Sequence, residues 1–126
     1  MSDIKAIIEE LSIDALESNT KIAAVAVISD SGTIIHQSEN FDLMNQGDII
    51  LNVFKGDTSF ELNNFNYTVI ESSSEAIIAK SDSGMGYIII TKFQGGLLVV
   101  YAMPGADPEL VLSFLKKYSP KLDNEL

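Results

Sequence analysis

Cysteine and tryptophan are both missing from this chain, histidine occurs once, and eight basic residues stand against eighteen acids. Without cysteine there is no disulfide, no thiolate metal site and no cysteine nucleophile, and redox chemistry does not set the compartment. The shortage of basic residues leaves a formal net charge of −10. That argues against nucleic acid and anionic membrane surfaces as partners, because both need clustered lysine and arginine. It fits a partner with a basic surface, or plain solubility. The apolar runs are too short to span a bilayer. The stretch Met1-Ser2-Asp3-Ile4-Lys5 has no basic region followed by an apolar one. A soluble, cytoplasmic protein is expected. What is present is a chain of 126 residues, 46% of them hydrophobic, which suits one domain, 1–126, with a substantial core.

The spacing predicts a helix over 3–17. Ile4, Ile7, Ile8, Leu11, Ala15 and Leu16 recur every three or four residues, with acids on the other face. Ser2 or Asp3 can cap it, and Ser18-Asn19-Thr20 ends it. "KIAAVAVIS" reads as a strand covered on both faces, "DSG" as a turn and "TIIHQS" as the return strand. A short helix is expected over 45–56, capped by Asn45 or Asp48 and closed by Gly56. From residue 58 the period becomes two. "SFELNNFNYTVIE" reads as two strands turning at Asn63-Asn64, and "EAIIAKS" as another.

The segment "GYIIITKFQGGLLVVY" then forms a central hairpin turning near Gln94-Gly95-Gly96. Its expected buried sets are Ile88, Ile90, Leu98 and Val100 on one side, and Ile89, Leu97 and Val99 on the other. Asp107 caps a last helix over 108–119, with Pro108 in its first turn, Val111, Phe114, Leu115 and Tyr118 on its core stripe, and Pro120 as its stop. Short turns between neighbouring strands require antiparallel pairing. The fold class is therefore α+β: a central antiparallel sheet of about six or seven strands, flanked by N- and C-terminal helices and a short middle helix.

Catalytic equipment is sparse. His36 sits among apolar neighbours on a strand, with no second ligand at metal spacing. Ser72, Ser73 and Ser74 lack a nucleophile-elbow context. The glycines at 84–86 and 95–96 do not open helices, so they do not cradle a phosphate. Glu9, Glu10, Asp14 and Glu17 read as a solvated helix face. A non-enzymatic binding module without a cofactor is expected.

The second half carries a recognisable order. "FELNNFNYTVIE" resembles the profilin phrase Phe-x-Leu-Asn-Gly-x-Lys-Tyr-x-Val-Ile. "TKFQGGLLVVYAMPGADPE" resembles that family's hairpin, apolar strand and Pro/Gly loop into the last helix. Gln37, Ser38 and Phe41 hold the places of its Gln-Ser-x-x-Phe phrase. The match is collinear over nearly the whole chain. It resembles a divergent profilin, of the kind found in archaea with actin homologues.

The resemblance implies a protein of the cytoplasm and cytoskeleton that binds monomeric actin or an actin homologue. Such a protein hinders spontaneous nucleation and influences nucleotide exchange or elongation. Carried over position by position, the actin-facing strand residues are Asn66, Thr68, Glu71, Ile78, Lys80, Met85 and Tyr87. On the last helix they are Asp107, Glu109, Leu112, Ser113 and Lys116. Alternate strand residues share a sheet face, and Glu109, Leu112, Ser113 and Lys116 share a helix face. Leu112 is expected to be exposed there and to mark a contact. Glu71 stands where an arginine can occur in eukaryotic profilins, which weakens pairing with a distant actin.

Family members also bind proline-rich segments through aromatic residues of the terminal helices. Here the first helix offers Ile4, Ile7 and Ile8, and only Tyr118 and Phe114 remain on the last, so polyproline binding is expected to be weak or absent. The charge balance argues against phosphoinositides, and a monomer is expected. The alternative is a roadblock- or longin-like dimeric scaffold regulating a small GTPase. A third reading, a small enzyme or ligand-binding domain, requires a pocket with convergent polar groups.

Overall fold

A computed structural model describes residues 4–38, 47–62 and 65–123. The elements run α1 (Ile4–Glu17), β1 (Ile22–Ser29), β2 (Ile34–Gln37), α2 (Gly47–Phe54), β3 (Ser59–Leu62), β4 (Phe65–Ser72), β5 (Ala76–Ser81), β6 (Tyr87–Phe93), β7 (Gly96–Ala102) and α3 (Pro108–Leu122). Among the described residues, seven strands form one antiparallel sheet in the order β2-β1-β7-β6-β5-β4-β3. The expected α+β class is observed. Ser2, Asp3, Phe41, Asn45 and the Asn63-Asn64 turn lie outside the described residues.

Two cores lie on opposite faces of the sheet. On one, α1 and α3 cover Val25, Val27, Ile78, Ile89, Leu98 and Val100. On the other, Ile50 and Val53 of α2 pack with Ala26, Ile28, Ile77, Ile88, Ile90, Leu97 and Val99. The central strands are apolar at every position because both faces are buried.

The alternation within each strand is as expected, but the sets across β6 and β7 are not. Ile90 pairs with Val99 and Ile89 with Val100. Ile88 and Ile90 therefore share a face with Leu97 and Val99, while Ile89 joins Leu98 and Val100. The cause is the turn. Phe93 pairs with Gly96 across the two residues Gln94 and Gly95, where the expectation placed three. One residue fewer in the turn exchanges the two faces of one strand relative to the other. Gly95, at φ +114°, supplies the backbone freedom this tight turn needs.

The helices differ from expectation at their ends and edges. Leu16 is 79% exposed rather than part of the α1 stripe, whose buried members are Ile8, Leu11 and Ala15. Asn19, at φ +57°, turns the chain out of α1, and the buried Thr20 hydroxyl donates to the Ala15 carbonyl. α3 begins as expected: the Asp107 side chain accepts from the Glu109 and Leu110 amides, with Pro108 at the first position. It does not stop at Pro120. The helix continues to Leu122, whose side chain is fully buried, and the Asp123 amide donates to the Pro120 carbonyl. Packing of one more apolar residue outweighs the amide that proline lacks.

A strand-and-helix surface on the α3 face of the sheet

Register places most of the expected site residues together. Thr68 of β4 pairs with Lys80 of β5, and Lys80 with Tyr87 of β6. Cross-strand partners project to the same face, so the three form one row. The next row is Glu71, Ile78 and Ile89. Ile78 and Ile89 belong to the core beneath α1 and α3, so both rows lie on the α3 face. α3 rests mainly on β6, with lesser contact to β7 and β5. β4 is left open there: Asn66, Thr68 and Glu71 are exposed, as is Lys80, and Tyr87 is half-buried. The Asp82 amide donates to the Asn66 carbonyl, and the Thr68 hydroxyl donates to Asp82 Oδ1 at 2.7 Å.

Met85 is exposed at the same end of the strands. Its carbonyl accepts from the Tyr101 hydroxyl. That approach depends on Gly86, because a Cβ there would come within 2.2 Å of the Ala102 carbonyl oxygen.

α3 completes the surface. Asp107, Glu109, Ser113 and Lys116 are exposed. The Glu109 carboxyl is pushed above its ordinary value, first by hydrogen bonding with the Glu71 side chain of β4 and then by the Glu71 charge.

Two expected contact residues are not at the surface. Ile78 is 1% exposed, because its even position on β5 points under α3. Leu112 is 7% exposed and belongs to the α1/α3 core. It lies one helical step beyond the stripe of Val111, Phe114 and Leu115, and the broad sheet below covers that flank as well. The exposed leucine of α3 is Leu110 instead.

Ile70 and Met103 are further exposed apolar residues that the sequence pattern did not single out. Ile70 lies at an irregularity in β4, since the pairing shifts between Val69 and Glu71. A bulge is invisible to a period-two pattern.

The contact between the terminal helices is closed. Tyr118 is 3% exposed, and its hydroxyl donates to Asp14 Oδ2 at 2.7 Å. Burial, then this hydrogen bond, pushes the phenol up to about 12. Lys117 reaches Asp14 at 3.9 Å and Lys121 reaches Glu10 at 3.1 Å, while the two ammonium groups lie over the Phe114 and Tyr118 rings.

An open cleft of about 700 Å3 lies between the end of α3 and the end of β6. Thr91 and Ser119 line it, but their hydroxyls bond each other at 2.6 Å, and Lys92 and Lys116 are offset by Glu75 and Asp123. Polar groups do not converge on a common point. Among the described residues no group of three metal-ligating side chains occurs, and no described helix is long and apolar enough to cross a membrane. His36 is half-buried on the edge strand β2.

Fold and surface together define an α+β domain whose exposed chemistry is a strand-and-helix face rather than an enclosed site. No family model matches the sequence. Loki profilin-1 of Lokiarchaeum sp. is 31% identical over 127 residues, which cover 91% of this chain and 94% of that protein. The profilin in a LokiProfilin2–rabbit actin complex is 29% identical and superposes with a TM-score of 0.86 over 100% of both chains. A Roadblock/LC7 domain from Streptomyces avermitillis, at 19% identity and a TM-score of 0.60 over 96% of this chain and 99% of that one, shares the fold alone. The chain belongs to the profilin family.

Proposed function

We propose that this protein binds monomeric actin, or an actin homologue, and thereby regulates polymerisation by hindering spontaneous nucleation. The observation that carries this reading is the end-to-end superposition on a relative whose structure is an actin complex. The open face of β4 and β5 beside α3 is the surface assigned to it. Asn66, Thr68, Lys80 and Tyr87 contribute from the sheet, and Glu109, Ser113 and Lys116 from the helix. Ile78 and Leu112 support that surface from below. The protein acts by binding and not by catalysis, as a cytoplasmic monomer.

Proline-rich peptides bind weakly or not at all. A polyproline helix needs exposed aromatic faces, whereas Tyr118 is buried against Asp14 and the rings of Tyr118 and Phe114 are capped by lysines. Phosphoinositide binding is disfavoured by the net charge of −10.

The test is binding and polymerisation kinetics with monomeric actin, ideally from the same cell. Saturable one-to-one binding with slowed nucleation is expected. Lys116→Glu should weaken binding by more than about 1 kcal/mol, the level that separates anchors from bystanders, without changing the melting temperature. Absence of interaction at high micromolar concentration would overturn the reading. A dimer in solution would favour the roadblock-like scaffold instead.

A further inference from the structure

The turn between β5 and β6, residues 82–86, reads as loose. Asp82, Ser83, Gly84 and Met85 are exposed, and Gly84 and Gly86 take positive φ, +76° and +104°. Glycines in a short exposed turn leave it mobile unless something holds it. Here it is held from three directions. Across the turn itself, the Ser81 amide donates to the Gly86 carbonyl at 2.9 Å, and the Gly84 amide to the Ser81 carbonyl at 3.2 Å. Toward β4, the Thr68 hydroxyl donates to Asp82 Oδ1 at 2.7 Å, and the Asp82 amide donates to the Asn66 carbonyl at 2.9 Å. Toward β7, the Met85 carbonyl accepts from the Tyr101 hydroxyl. A threonine hydroxyl has one proton to donate, and Asp82 takes that of Thr68. Thr68 is therefore engaged with the turn rather than free to donate to a partner.

We propose that Thr68, Asp82 and Tyr101 are positioning residues, which clamp the 82–86 turn so that Met85 is preset as an apolar contact for actin. This rests on the actin-binding reading and deepens it at one part of the same surface. The candidate residues that β4 and β5 expose there, Asn66, Thr68, Glu71 and Lys80, are all polar or charged. Met85, at the same end of the strands, is 43% exposed. Methionine is enriched in the cores of protein interfaces, and charged residues are depleted there. A partner that buries Met85 must also order the turn that carries it. Where β4 and β7 already hold that turn, the ordering cost is met before binding, and affinity rises accordingly.

The experiment is calorimetric titration with monomeric actin, paired with backbone NMR relaxation of the free protein. In wild type, residues 82–86 should be as rigid as the strands they join. Asp82→Ala should loosen the turn and weaken actin binding about three- to tenfold, the ordering cost of one or two side chains, with little change in melting temperature. Tyr101→Phe should loosen the same turn from its other side. Asp82→Asn keeps an acceptor for the Thr68 hydroxyl and should retain most of the affinity. Met85→Ser should weaken binding at least as much as Asp82→Ala. In the Met85→Ser background, Asp82→Ala should cost nothing further, because the clamp acts through Met85. Additive losses would mean that Asp82 touches actin directly, and they overturn the proposal. So does an affinity indifferent to Asp82→Ala, or a turn equally mobile in wild type and variant. Absence of binding by wild type is a separate outcome. It overturns the actin reading, and the proposal with it.

Discussion

Thr91 and Ser119 show how little room a buried hydroxyl leaves. They are 2% and 7% exposed, and 2.6 Å apart. The Ser119 hydroxyl donates to the Leu115 carbonyl, so its single proton is used, and Thr91 must donate to Ser119. The two residues are then unequal. Thr91→Val removes a donor but leaves every remaining donor paired, and should cost about 1 kcal/mol. Ser119→Ala strands the Thr91 donor in the core and should cost nearer 2–3 kcal/mol, the penalty for an unmet buried group. Urea unfolding of the two variants measures the difference, and equal losses would reverse the assigned proton order. Ile90 is a different case. It is fully buried between Ile77 and Val99, so a charge there has no partner, and Ile90→Asp should abolish cooperative unfolding altogether. Leu112, expected from its position to be an exposed contact, is also a core residue. Leu112→Ala should therefore cost about 2 kcal/mol in stability and is unsuited as a probe of binding.

At the scale of elements, the helices and the strands β3 and β4 were legible from periodicity, and the central strands from short apolar runs bounded by turns. The Asp107-Pro108 start of α3 was readable as well, since both residues have a defined geometry at a helix N-terminus. Asp107→Ala should cost about 1 kcal/mol, or a few degrees in melting temperature for a chain of this size. Unchanged melting would mean that the amides find another acceptor. Three features were not legible, each for its own reason. The β6–β7 register depends on turn length, and two adjacent glycines do not show which residues form the turn. The passage of α3 through Pro120 depends on the burial of Leu122, which the local sequence does not encode. The influence of Glu71 on the Glu109 carboxyl joins positions far apart in the chain, and only the fold creates it. The candidate surface was thus readable as a set of faces, and the electrostatic influences across it were not.

For the molecule as a whole, the layering puts two tyrosines where alkali should find them. Tyr67 packs on Phe60 in the α2-side core, and burial, then the charge of Tyr101, pushes its phenol up to about 12. Tyr118, in the other core, is pushed to about 12 as well. In the unfolded chain both ionise near 10.0. The folded state therefore holds these protons more tightly, and the stability this confers is complete below the unfolded value. It is lost as pH rises from about 10 to about 12, because the unfolded chain releases protons that the native chain keeps. The net charge of −10 grows more negative over the same range, and self-repulsion acts in the same direction. The exposed ion pairs between α1 and α3 contribute little against this. Melting temperature should thus fall steeply across that window. Tyr118→Phe should lower stability at neutral pH through loss of the Asp14 hydrogen bond, yet show a shallower alkaline fall. Thermal melts of wild type, Tyr67→Phe and Tyr118→Phe across the window separate the contributions. Parallel curves for all three would show that general charge repulsion, not these two phenols, sets the alkaline limit.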